Sequence, residues 1–265
     1  MTDILLIGIK CLAAILAGIF AGNGAVYFFN KMPAAWLCDY GEKPSEELLD
    51  PYTQRVKSYP WKFIFTMLFV VLGIKMVMDD WQFAIAGICA LWLLLEMAIA
   101  DQKYRIVPDQ LIILLALTAL GFIPFHGNWL DCLIGGAVGF GVMGFVAILG
   151  KMAYRRDTLG GGDIKLFASL GLITGLNGIL IIFVIATLIS AAHLIWLLAR
   201  KKIKRSDTVA MVPYIAIAAS VYLGLCRCFT TVIGAGNDWS VRMPQRIKTV
   251  VVWQSGAGIC CLRRT

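Results

Sequence analysis

The amino-acid sequence predicts an all-α polytopic membrane protein of about eight transmembrane helices with its N-terminus outside, and three observations carry that expectation. Sixty per cent of the 265 residues are apolar and only 15% are charged, a composition unlike that of a water-soluble domain. Apolar runs recur at about 4–29, 61–78, 81–100, 109–125, 130–150, 164–176, 178–199 and 209–233, and a helix crosses hydrocarbon in about 20 residues. The connections between the runs alternate in charge. One set carries sixteen Lys or Arg, among them Lys31, Arg55, Lys103, Arg105, Lys151, Arg155, Arg200 and Lys201; the other, around Asp79-Asp80, His126 to Asp131 and Asn177-Gly178, carries none. The positive-inside rule puts the first set in the cytoplasm. Lipid offers no partner to an open strand edge, so the spans are helices.

Each element has its own justification. The first run opens with Asp3 where a cleavable signal would be basic, Lys10 interrupts it, and no small-x-small site follows; it is read as a retained span. Residues 30–60, with Pro33, Pro44, Pro51 and Pro60, are too few for a core of their own and are expected to lie against the cytoplasmic face. The second and third runs meet at Asp79-Asp80, and the third ends at Asp101. The fourth begins behind Pro108-Asp109, where an acid suits the positive end of a helix dipole, and turns into the fifth through His126-Gly127-Asn128-Trp129. The run at 164–176 is short, as a tilted or partly interfacial helix would be. It turns into the seventh at Asn177-Gly178, and the eighth run returns the C-terminus outside. Three regions result: 1–60, a first span and short cytoplasmic loop; 61–233, a membrane-embedded core; and 234–265, a tail with no assigned role.

The net charge of +8 is accounted for by the loops, and without a soluble basic domain no nucleic-acid partner is expected. Eight cysteines occur without a Cys-x-x-Cys pair, so no metal site is expected. Most lie inside apolar runs, where cysteine acts as a small hydrophobe.

Two carboxylates stand out because acids bordering a bilayer are costly. Asp101 closes the third span and Asp163 opens the sixth, both at the basic, cytoplasmic end. The intervening hairpin of spans four and five is what two elements need to return to one face. Two neighbouring carboxylates do not both ionise easily, so one can hold a proton while the other acts as base toward water. Each alone has a plainer reading: Asp163 as a first-turn acid behind a Gly turn, Asp101 as a partner of Lys103 or Arg105.

Gly160-Gly161-Gly162-Asp163-Ile164-Lys165 resembles the Gly-x-Gly-Asp motif of the type IV prepilin peptidases. Asp101 through Pro108-Asp109 resembles that family's first motif, and Val212-Pro213-Tyr214 falls at its proline-aromatic entry to the last helix. The resemblance covers about residues 85–225, with Asn30-Lys31-Met32-Pro33 similar to the end of the family's first helix. It implies a multi-pass aspartic endopeptidase of the bacterial inner membrane that cuts the short basic leader from prepilins or pseudopilins at the cytoplasmic face. Asp101 and Asp163 would be the catalytic pair, Gly160 and Gly162 would shape the loop, and Lys165 would support it. Prepilin substrates and membrane lipid are the implied partners; oligomeric state is not legible. Many members carry paired Cys-x-x-Cys motifs in the first loop and N-methylate the product with S-adenosylmethionine. Here that loop has Cys38 alone, so neither zinc nor another cofactor is expected and N-methylation is left out of the expected activity.

Glu96 lies about 140° around the helix from Asp101 and is expected to pair with another helix rather than join the dyad. Lys75 can snorkel; His126 and His193 have no ligand-like neighbour in sequence; Asp39, Asp157 and Asp207 read as solvated loop acids. Arg200 to Arg205 could meet anionic lipid, although topology suffices to explain them. The competing class is an ion-coupled transporter using the two acids for a cation or proton. It would place them near the midplane and often shows inverted repeats, whereas these acids lie at the edge and no repeat is present. A presenilin-like protease would need Tyr before its aspartate, where this chain has Ala100. A non-catalytic secretion scaffold would have no need of both aspartates.

Overall fold

The computed structural model describes residues 2–38, 46–50, 53–155, 159–200 and 209–226. The tail at 234–265, Asp39, Asp157, Asp207 and the basic residues 201–205 lie outside the described residues. Among the described residues eight α-helices follow in order: α1 Thr2–Lys31, the short α2 Glu46–Leu49, α3 Ser58–Asp79, α4 Trp81–Tyr104, α5 Asp109–Thr118, α6 Trp129–Tyr154, α7 Gly161–Ala199 and α8 Val212–Val221. Among the described residues there is no strand. Five helices (α1, α3, α4, α6 and α7) are long and apolar enough to cross a membrane, and two apolar helices, Asp109–Gly121 and Val212–Gly224, are shorter. The chain is an all-α, multi-pass membrane protein.

Local chemistry sets the helix ends. Asp80 separates α3 from α4 and caps the latter, its Oδ1 accepting from the backbone N–H of Gln82 at 2.8 Å and Phe83 at 3.2 Å, as an N-cap acid does. Lys75, expected to snorkel, instead pairs with Asp79 one turn on, at 3.2 Å. Helix α4 ends at Arg105 and α6 at Arg155, both in the left-handed conformation with φ of 58° and 54°, the geometry of a C-terminal cap.

Helix α7 is two helices in one run. Gly175 breaks it with φ 69° and ψ −176°, a backbone region open in practice only to glycine. The rings of Phe167 and Phe183 lie 6.1 Å apart. Sixteen residues of straight helix would separate them by about 24 Å, so the chain doubles back and makes two antiparallel arms, 161–174 and 176–199. The expected turn at Asn177-Gly178 is therefore made two residues earlier. Asp131, at the start of α6, reaches it: Leu176 N–H donates to Asp131 Oδ1 at 3.4 Å. His126 Nε2 contacts the Ile173 carbonyl at 2.9 Å.

Small residues let the helices approach. Gly18 of α1 lies against Val70 of α3, where a Cβ would sit 2.7 Å from its backbone nitrogen, and Gly136 of α6 packs on Leu172 of α7 in the same way. Between lipid-solvated helices such close van der Waals contact replaces the hydrophobic effect as the driving force. The core they enclose includes Ala25, Val26 and Phe29 of α1, Leu94 and Met97 of α4, Leu166 and Phe167 of α7, and Val212 and Ile215 of α8, all fully buried.

The segment after α1 folds back beneath that helix. Asn30 brackets Val56, donating to its carbonyl at 3.0 Å and accepting from its N–H at 2.8 Å. The buried guanidinium of Arg55 donates to the carbonyls of Phe29, Met32 and Leu48. Two of those carbonyls, Phe29 and Met32, lie at the C-terminal end of α1, where a cation suits the helix dipole, and the third, Leu48, ties α2 to that end.

Candidate active site

The last turn of α4 carries Asp101, whose side chain is buried at 7% exposure. Its position is fixed from both directions. Arg105 N–H closes the helix on the Asp101 carbonyl at 3.0 Å, and the side-chain Oδ2 accepts from Val212 N–H at 2.9 Å. Val212 is the first residue of α8, and Pro213 follows at N1/N2. A helix N-terminus has amides with no partner of their own and favours an anion, so α8 presents a donor to Asp101. Beside the neighbouring charge of Arg105, Asp101 thus has a backbone contact 111 residues away.

Asp163 occupies the first turn of α7, behind its N-cap Gly160, whose carbonyl accepts Asp163 N–H at 3.1 Å. A side chain on Gly160 would begin 3.7 Å from Asp163 Oδ2, so the glycine leaves the carboxyl open on that side. Gly162 has a tighter reason to lack a side chain: its Cβ would meet Val107 Cβ at 2.9 Å. Val107 lies in the loop between Asp101 and α5, so Gly162 lets the two aspartate-bearing loops touch. That approach sets the first turn of α7, with Asp163, beside the loop that follows Asp101. Lys165 adds a second tie, its Nζ lying 2.8 and 2.9 Å from the oxygens of Asp109 at the head of α5.

The structure thus gathers Asp101, Asp163, Gly160, Gly162 and Lys165 at one end of the bundle, the end with the basic connections. Chemically, the arrangement offers a pair of carboxyls that can divide one proton between them. Glu96 is not part of it. It falls on the sector of α4 bounded by Trp92, which donates to the Ala21 carbonyl at 3.1 Å, and Tyr104, which stacks on Phe29 at 6.5 Å; both are contacts with α1. The expected interhelical pairing is not found: Glu96 is fully buried and neither carboxyl oxygen has a hydrogen-bond partner among the described residues.

Two participants escaped the sequence reading. The Val212 amide follows from the helix-start pattern, since Pro in the first turn marks free amides just ahead of it. Tyr214 had been noted only within a motif. Its phenol feels the charges of Asp101 and Arg105 and shares a hydrogen bond with His193. Among the described residues no cluster of three or more His, Cys, Asp or Glu side chains could hold a metal. The thiol of Cys38, the one cysteine of the first loop, donates to the Ala34 carbonyl, which does not fit a zinc knuckle.

Residues 88–195 match the type IV leader peptidase family. Among curated proteins, the chain is 33% identical over 168 residues to a prepilin leader peptidase/N-methyltransferase of Xanthomonas campestris pv. campestris, covering 62% of this chain and 57% of that protein. It is 28% identical over 177 residues to the Escherichia coli K12 protein of the same name, covering 64% and 77%. A Bacillus subtilis relative of that name is 31% identical over 103 residues, covering 38% and 40%. The chain spans little more than half the length of the first of these relatives. No solved structure matches.

Proposed function

We propose, from the match of residues 88–195 to the type IV leader peptidase family, that this chain is a membrane aspartic endopeptidase. It removes the short basic leader from prepilins or pseudopilins at the cytoplasmic face of the bacterial inner membrane. The observation that supports the reading is the approach of Gly162, next to Asp163, to Val107 of the loop that follows Asp101, although the two aspartates are 62 residues apart in sequence. The basic loops at that end of the bundle support a cytoplasmic position for it and an external N-terminus. The membrane core 61–233 houses the reaction and 1–60 flanks it.

In this reading one carboxyl of the dyad holds a proton and hydrogen-bonds the scissile carbonyl oxygen. The other takes a proton from water as the water oxygen attacks the carbonyl carbon. The tetrahedral adduct collapses as the leaving amine is protonated, and the pair is again left with one proton. Val212 N–H holds Asp101 Oδ2 in a fixed direction throughout. Gly160 and Gly162 leave room at Asp163 for an extended substrate backbone. The proposal is confined to hydrolysis, and no step passes through a metal or a methyl donor.

Membranes containing the full chain, Asp101→Asn or Asp163→Asn are incubated with a prepilin bearing its leader. The expected result is cleavage by the parent and none by either variant, with all three inserted equally. Normal processing by one of the variants would sink the assignment.

A further inference from the structure

We propose that His193 and Tyr214 are positioning residues, holding the first turn of α8 so that its Val212 amide stays on Asp101. This rests on the dyad reading above and names residues that reading does not use. Tyr214 lies two residues after Val212, in the same first turn of α8 whose amide binds Asp101 Oδ2 at 2.9 Å. On its other side the phenol shares a hydrogen bond with His193 Nδ1, on the second arm of α7. His193 is itself held: its ring stacks on Trp196 at 5.8 Å with an interplanar angle of 22°. The guanidinium of Arg200 lies over the Trp196 ring at 4.7 Å, a cation–π contact. A line of four side chains, Arg200, Trp196, His193 and Tyr214, thus runs along the second arm to the turn that touches the dyad.

The placement of His193 argues for use. It is exposed on a largely apolar arm, between Ala192 and Leu194. A polar ring in a membrane helix is costly and is retained where it has a partner and a task. Its partner here belongs to the neighbouring helix rather than to its own backbone, so the bond fixes one helix against another. Reacting groups must be held closely, and a displacement of about 1 Å can cost on the order of a hundredfold in rate. The alternative is that α8 is seated by its buried apolar face alone, through Val212, Ile215, Ala218 and Ala219. In that case the phenol hydroxyl contributes nothing.

The test uses the full chain in lipid nanodiscs with Tyr214→Phe, His193→Leu, His193→Gln and the Tyr214→Phe/His193→Leu double variant. Two quantities are read: kcat and KM for leader cleavage, and deuterium uptake of peptides spanning 209–216. Tyr214→Phe and His193→Leu are each expected to speed exchange at 209–216 and to lower kcat by roughly tenfold, with KM within about twofold. The double variant should be no worse than either single one, because the two changes break one bond, and His193→Gln should recover most of the loss. Unchanged exchange in both single variants overturns the proposal. So do losses that multiply in the double variant, or a change confined to KM. If His193→Leu fails to accumulate, Tyr214→Phe, which keeps the ring, decides the outcome. Exchange is read without turnover, so processing by Asp101→Asn would remove the peptidase assignment while leaving the α8 contact testable by itself.

Discussion

Lys165 and Asp109 each follow one of the two aspartates along the chain and meet across 56 residues of sequence. Their ion pair is exposed on both sides, with side-chain exposures of 54% and 41%, so it adds little to stability. Its value lies in registering the head of α7 against the head of α5. Lys165→Ala is expected to lower kcat/KM by roughly tenfold with near-normal thermal stability. The exchanged pair Lys165→Asp with Asp109→Lys should recover a good part of it in a cleavage assay. Asp101 and Asp163 stood out in the sequence as a pair, since each alone has a plainer reading but both border apolar runs at a basic end. Lys165 was legible only through its motif, and its partner was not, since nothing local links it to Asp109. His193 was the least legible: its partner sits 21 residues away on another helix, and no periodicity connects the two.

Each apolar run that lies within the described residues became helix, because in lipid the backbone has no other way to satisfy its polar groups. Ends were legible where a cap residue declared them, as at Asp80, Pro108 and Asn128. The turn within α7 was misplaced for a physical reason. Asn177-Gly178 has the composition of a turn, but the reversal is stabilised by a residue from far upstream: Asp131, 45 residues before Leu176. Gly175 has no room to vary there, since a Cβ would lie 2.5 Å from Asp131 Oδ2 and 3.2 Å from the His126 ring. Gly175→Ala should therefore cost about 1–3 kcal/mol from the backbone alone, with more from the clash. The check is a lowered unfolding midpoint in detergent, and Gly178→Ala is not a usable control because Tyr222 Oη lies 2.7 Å from its would-be Cβ.

At the scale of the molecule, two seams of close helix contact, α1 on α3 and α6 on α7, enclose α4 and α8, which bring the Asp101 clamp to the basic end. The overall class and the end of the bundle that carries the dyad were legible from hydropathy and loop charge together. What hydropathy does not encode is azimuth: which side of α4 faces α1, and hence where Glu96 points. That residue has a practical meaning for the whole fold. A fully buried acid with no donor among the described residues is a stability deficit. Because no partner would be orphaned, Glu96→Leu should raise unfolding free energy by about 1–3 kcal/mol, read as a higher midpoint in a thermal aggregation assay. A lower midpoint would mean that Glu96 has a donor after all. Glu96 lies about 140° around α4 from Asp101, so the expected gain is a version of this membrane protein better suited to purification and crystallisation, with the proposed dyad left in place.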